Sequence, residues 1–193
     1  LMAPFDLQRS LIEKIDAVGL AAERGEGGRI VAKMNALTDE DLIDALVRAG
    51  RRGARIDLIV RGACMLPAAV PGWTDNIRVR SIIGRFLEHT RVFYFGMGAH
   101  DELYLASADW MNRNMLRRVE LAWPVTDKRL RQRIINECLI AYLHDDRDAW
   151  TLQADGRYAR APHVLDGHGA QPALMARYAS KPTEPPHAAR AWT

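Results

Sequence analysis

Apolar residues in the first third of the chain alternate between two rhythms, one helical and one extended. Leu7, Leu11, Ile15 and Val18 recur at helical spacing, with Asp6 placed to cap the helix. Gly25, Gly27 and Gly28 interrupt that pattern, and the run RIVAK at 29–33 then reads as a short strand. Thr38 is expected to cap a second helix, with Asp39, Glu40 and Asp41 in a first turn that suits the helix dipole. Leu42, Ala45, Leu46 and Ala49 line one face of it, and Gly50 stops it. The run IDLIV at 56–60 is a strand ending at Arg61-Gly62. Strand, helix and strand in that order predict a parallel pair.

Further on, 66–76 reads as loop, and strand signals return at 77–82, 91–95, 102–106 and 118–125. In the first of these Ile77 and Val79 share one face, and Arg78 and Arg80 the other. Gly96-Met97-Gly98 predicts a hairpin. Asp127 is placed to cap a long helix through about His144, with Leu130, Ile134, Ile135, Cys138, Leu139 and Tyr142 in periodic positions. After about Gly156 the pattern dissolves, and Pro162, Pro172, Pro182, Pro185 and Pro186 fall among alanines and histidines. A composition of that kind predicts a mobile tail, here 159–193, behind a domain at 1–158. The expected fold class is α/β, a single domain with a mixed sheet and helices on its faces.

Composition changes this picture little. The 193 residues, 48% hydrophobic and 26% charged, suit one well-buried soluble domain. No apolar run approaches the roughly 18 residues of a membrane span, and nothing at the start reads as a signal peptide. Leu1 ahead of Met2 reads as a segment cut from a longer chain. Cys64 and Cys138 form no disulfide or metal pattern and read as apolar fillers in a reducing cytoplasm.

Charge is more informative. Residues 1–50 hold six Lys/Arg against nine Asp/Glu, whereas 51–91 hold eight Arg, no Lys, and only Asp57, Asp75 and Glu88. A guanidinium offers a planar fork of donors that matches phosphate and carboxylate oxygens. Such a field points to an anionic ligand, or simply to a solvated basic face.

Three stretches could carry chemistry. In GRFLEHTRVFYF, His89 lies between Arg85 and Arg91, where it could protonate a leaving phosphate oxygen, contact it or attack phosphorus; a plain surface histidine is the alternative. In SADWMNRN, Ser107, Asp109 and Asn114 could cap a short helix whose free N–H groups would make an anion site, although capping alone explains them; Trp110 reads as core. Arg61-Gly62, at the end of a parallel strand, could be a phosphate clamp or a surface arginine.

Taken together, FDL at 5–7, AKMNAL at 32–37, IVRG at 59–62, VPG at 70–72, DNIRVRSI at 75–82, GRFLEHTRVFYF at 84–95 and SADWMNRN followed by RRVE resemble the last domain of long-form bacterial polyphosphate kinase, in register from about 1 to 158. That resemblance implies a phospholipase D-like mixed sheet flanked by helices, facing a preceding, similar half across one shared site. It implies a magnesium-dependent enzyme that reversibly transfers the ATP γ-phosphate to inorganic polyphosphate through a phosphohistidine. The phosphorylated histidine and the magnesium-associated arginines would belong to the preceding domain, and no metal ligand is assigned in this chain. His89-Thr90-Arg91 looks like the family's His-x-Lys motif with Arg for Lys. Arg61 and His89 would contact the nucleotide's phosphates, with His89 assisting as a catalytic group. Arg78, Arg80, Arg85, Arg91, Ser107, Asp109 and Asn114 are second-line candidates for a polyphosphate channel. Expected partners are ATP or ADP, polyphosphate, the preceding domain of the same chain and further copies in a homo-oligomer. A cytoplasmic setting is expected, with membrane association possible for the intact enzyme.

Two other functions compete. A phospholipase D-like phosphodiesterase would need lysine two residues after each histidine, and position 91 is arginine. A non-catalytic polyanion-binding module is the second; nucleic acid is disfavoured as its ligand because no run interleaves aromatic and basic residues.

Overall fold

The computed structural model describes residues 1–160 and 167–179. In chain order the elements are β1 (Met2–Ala3), α1 (Leu7–Glu23), β2 (Gly28–Met34), α2 (Glu40–Arg51), β3 (Arg55–Val60), β4 (Ile77–Ile82), β5 (Val92–Met97), β6 (His100–Ala106), α3 (Asn112–Leu116), β7 (Glu120–Pro124), α4 (Lys128–Ile134), a π-helical stretch (Ile135–Ile140), α5 (Ala141–Leu143), β8 (Ala149–Leu152), β9 (Tyr158–Arg160) and α6 (Ala170–Ala179). All nine strands form one sheet in the order β1-β7-β6-β5-β2-β3-β4-β8-β9. β2, β3 and β4 are mutually parallel, as the strand–helix–strand pattern requires, and every other pairing is antiparallel.

The alternation along the central strands sorts two cores. Ile30, Ala32, Met34, Ile56, Leu58, Val60, Ile77, Val79 and Phe93 meet Leu7, Leu11, Ile15, Leu42 and Leu46 of α1 and α2. On the opposite face Val31, Val92 and Leu103 pack beneath Leu139, and Ile59 and Ile82 beneath Tyr142. Helices therefore cover both faces of a mixed sheet, the α/β architecture expected. Among the described residues no helix is long and apolar enough to cross a membrane.

Several local expectations need correcting. Thr38 does not cap α2: its N–H donates to the Trp110 carbonyl, and Asp39 accepts from Leu42 N instead. Asp6 precedes α1, but its carboxylate accepts from Met2 N rather than from the helix. The region expected to be an unpacked tail contains β9 and α6. Ala170 and Gln171 of α6 are buried, and the Gln171 amide exchanges two hydrogen bonds with the Phe86 backbone (2.8 and 3.1 Å). Gly84 allows this, because a Cβ there would collide with the Gln171 amide. The remainder of the expected tail, 161–166 and 180–193, lies outside the described residues.

Candidate active site edge

Strand polarity gathers the candidate residues at one edge of the sheet. Lys33 of β2 pairs with Ile59 of β3 and with Val92 of β5, and Val92 pairs with Leu105 of β6. The ends of β2, β3, β4 and β6 and the start of β5 thus coincide. Asn35, Arg61, His89, Arg91, Ser107 and Asp109 follow or precede those strand ends. In open α/β sheets ligands bind at the carboxyl ends of parallel strands.

Asp109 is the organising anion. Its carboxylate takes a bidentate ion pair from Arg91, with Nε at 3.0 Å and Nη2 at 2.9 Å, and accepts from the backbone N–H of Asn35 and Ala36 at 2.7 and 3.3 Å. Burial works to raise its pKa, but the Arg91 bonds and the backbone donors overcome that and hold it below the ordinary carboxylate value. Arg91 also reaches the His89 carbonyl through Nη1 at 2.9 Å. Asn35 extends the chain of contacts, its Oδ1 accepting from Arg61 Nε at 3.0 Å. Arg61, Asn35, Asp109, Arg91 and the His89 backbone are therefore one connected network. The Asn35 Nδ2 donor is buried and has no hydrogen-bond partner among the described residues.

His89 itself is exposed. Its Nδ1 lies 2.9 Å from the Leu87 carbonyl. A carbonyl only accepts, so Nδ1 carries the proton and the neutral ring presents the Nε2 lone pair outward. Protonation would turn Nε2 into a donor aimed at the same space.

Beneath this loop lies a group that sequence reasoning missed. Lys33 is 6% exposed, donates to Glu88 at 2.7 Å and lies 3.2 Å from the centroid of the Tyr142 ring. The Tyr142 hydroxyl donates to the other Glu88 oxygen. Burial lowers the Lys33 pKa against the opposing pull of Glu88. The same two causes, burial and then the Glu88 bond, raise the Tyr142 phenol far above its usual value. Glu88 and His89 are adjacent, so the cation and the phenol anchor the backbone that presents the histidine. Lys33, Glu88 and Tyr142 are far apart in sequence, and the local hint is a lysine inside the apolar end of a strand, between Ala32 and Met34.

The other candidates stand outside this network. Ser107 and Asn114 converge on Glu120, the serine hydroxyl donating to one oxygen and Asn114 Nδ2 to the other at 2.6 Å. Neither residue, nor Asp109, caps α3, whose N-cap is Met111 with no side-chain capping bond. Arg85 is exposed, 5.8 Å from the Phe86 ring. Arg78 and Arg80 lie on the face of β4 that carries α4 and α5; Arg80 is level with Ile59 and Lys33, and Arg78 with Asp57, four residues before Arg61. Arg80 Nη1 is engaged by the carbonyls of Tyr142, Leu143 and Asp145. Trp110 is fully buried, and both cysteines are free and partly buried.

Among the described residues no grouping of three or more His, Cys, Asp or Glu could hold a metal ion. The carboxylates nearest the edge are committed: Asp109 to Arg91, Glu88 to Lys33 and Tyr142, Glu120 to Ser107 and Asn114. A divalent cation does not fit this donor set.

Comparison with known proteins supplies the relationship. Residues 1–171 match the family model described as polyphosphate kinase C-terminal domain 2. The chain is 48% identical over 178 residues to a polyphosphate kinase of Paraburkholderia phytofirmans, covering 92% of this chain and 26% of that protein. A polyphosphate kinase of Burkholderia cenocepacia is 47% identical over the same length and with the same coverage. The crystal structure of polyphosphate kinase from Porphyromonas gingivalis superposes with a TM-score of 0.82 at 36% identity, over 93% of this chain and 27% of that one. The chain thus spans about a quarter of the length of the relatives it matches. With its family model matched from the first residue to well past β9, and the fold shared with a solved member, the chain belongs to the polyphosphate kinase family, as its C-terminal domain 2.

Proposed function

We propose that this domain supplies half of the site at which a polyphosphate kinase reversibly transfers the γ-phosphoryl group of ATP to inorganic polyphosphate. The observation that carries the reading is the edge network, which holds Arg61 and the His89 loop side by side at the carboxyl ends of the parallel strands. Phosphoryl transfer is dominated by positioning and charge neutralisation, and fixed guanidinium groups provide both without reorganising during the step.

In this reading the γ-phosphorus–oxygen bond of ATP breaks as a phosphorus–nitrogen bond forms to a histidine of the preceding domain. The phosphoryl group then passes to the terminal oxygen of a polyphosphate chain and frees that histidine. Arg61 offsets charge on the transferring phosphates. His89, protonated at Nε2, donates to the departing phosphate oxygen and takes a proton back in reverse. Magnesium, as the resemblance implies, would be held outside this chain and would help to neutralise the phosphates; none of the residues named here would ligate it. Arg91 acts through its grip on Asp109 and on the His89 carbonyl. This role differs from that of the lysine a phospholipase D-like phosphodiesterase needs two residues after its histidine, so phosphodiester hydrolysis is the weaker reading.

The test is polyphosphate synthesis from ATP by a complete polyphosphate kinase chain carrying this domain, wild type against His89→Ala. Loss of roughly 100-fold or more in kcat is expected, within the range for removing a general acid, with unchanged thermal unfolding. Activity within threefold of wild type would refute the assignment. The 193-residue chain alone is expected to synthesise essentially no polyphosphate.

A further inference from the structure

A second concentration of positive charge lies on the sheet face that carries α4 and α5, in a concave pocket of about 230 Å³. Its charged lining is Arg29 of β2, Arg55 and Asp57 of β3, and Arg78 and Arg80 of β4, with His144 at the rim. Four guanidinium groups line the pocket against one lining carboxylate, Asp57; Asp145, outside the lining, also acts on Arg80. Asp57 is largely buried and pairs with Arg29 and, at 3.6 Å, with Arg55. Arg80 gives Nη1 to the carbonyls at the end of α5. Arg78 has no hydrogen bond or ion pair among the described residues. It stands two residues from Arg80 on the same strand face, close enough for the two cations to repel.

Like charges gathered in a concavity raise the local potential and attract a counter-anion. Folding has brought these arginines together from three adjacent strands, and Asp57 with the more distant Asp145 leaves them outnumbering their counter-charges. Asp57 pairs with Val31 and with Arg78 across the sheet, four residues before Arg61. At about 3.3 Å per residue the pocket centre is roughly 13 Å from the strand-end site. The Tyr142 ring, packed on Lys33, and Leu143 stand at the junction between the two regions.

We propose that this pocket is a separate binding site for a condensed phosphate anion, a triphosphate-sized segment gripped by Arg55 and Arg78. The preference for condensed phosphate over other anions rests on the kinase reading above, whereas the preference for an anion does not. Apart from His144 no aromatic side chain among the described residues lines the pocket, so a nucleoside attached to the phosphates finds no ring among them to stack on. Inorganic triphosphate therefore binds here at least as tightly as ATP.

The test is calorimetric titration of the 193-residue chain with inorganic triphosphate and, separately, with ATP. Four proteins are compared: wild type, Arg55→Ala/Arg78→Ala, Arg61→Ala/His89→Ala, and Arg9→Ala/Arg51→Ala as an equal-charge control. Arg80 is left alone because it holds the end of α5. The pocket variant is expected to raise the dissociation constant for triphosphate at least tenfold at one site, while the edge and control variants leave that site within threefold. Tighter binding of ATP than of triphosphate at this site would refute the inorganic chain as ligand. Equal losses in the pocket and control variants would mean a diffuse field, and unchanged binding in the pocket variant, or none by wild type, would equally overturn the site. Failure of the kinase reading would show separately, as full synthesis by His89→Ala in the complete chain.

Discussion

The strand-end edge and the face pocket both collect arginine, but they treat its charge differently. At the edge Arg91 is matched by Asp109 in a bidentate pair, Arg61 is tied to Asn35, and Lys33 is matched by Glu88. In the pocket one aspartate serves four guanidinium groups. The edge is cross-linked and nearly neutral around an exposed histidine; the pocket's lining holds more cations than carboxylates. Paired charge fixes geometry, which suits chemistry on a transferring group, whereas surplus charge attracts and holds an anion.

The sharpest way to break the comparison is to remove the organising anion. Asp109→Ala leaves Arg91 without its partner and strands two backbone donors. It should cost about 3–5 kcal/mol, the range for losing one member of a buried pair, read as a lower urea midpoint. A loss under about 1 kcal/mol would mean that the edge does not depend on this carboxylate.

Lys33 offers the next largest effect. Lys33→Met leaves Glu88 and the Tyr142 hydroxyl without the cation and should cost about 1–3 kcal/mol. Adding Glu88→Gln should recover part of that, because the two residues act as a unit. Strictly additive losses in the double-mutant cycle would dissolve the proposed anchor for the His89 loop.

Asp109 also predicts an acid limb. Its folded pKa is depressed, so its contribution to stability is complete above the ordinary carboxylate value of about 3.9. It is lost as pH falls from there through the lower folded value. Urea midpoints of wild type should therefore fall more steeply below about pH 4 than those of Asp109→Asn. Parallel acid limbs would show that the carboxylate is not held in its ionised form.

How much was legible beforehand varied with the range of the interaction. Alternation in IRVRSI separated the two faces of β4, and glycines at 96 and 98 marked the β5–β6 hairpin, because both are local patterns. Helix caps were less secure. Thr38 and Asp39 are both competent, and the choice fell to Asp39 because Thr38 is tied to Trp110, far along the chain. Helix α6 was missed because its sequence has proline and little periodicity; what docks it is the Gln171 amide on the Phe86 backbone.

The sequence alone determined the parallel core, the hairpin, the helices on both faces and the nomination of Arg61 and His89. Periodicity and turn chemistry are set within a few residues, and strand order brings strand ends together. Only the tertiary structure decided which charges meet. Arg91 chose Asp109, Lys33 chose Glu88 beneath Tyr142, and Arg78 and Arg80 went to the face pocket, where they share Asp57 with Arg29 and Arg55. Ion pairs between residues distant in sequence depend on sheet register and on which side chains share a face, and neither can be read from charge counts.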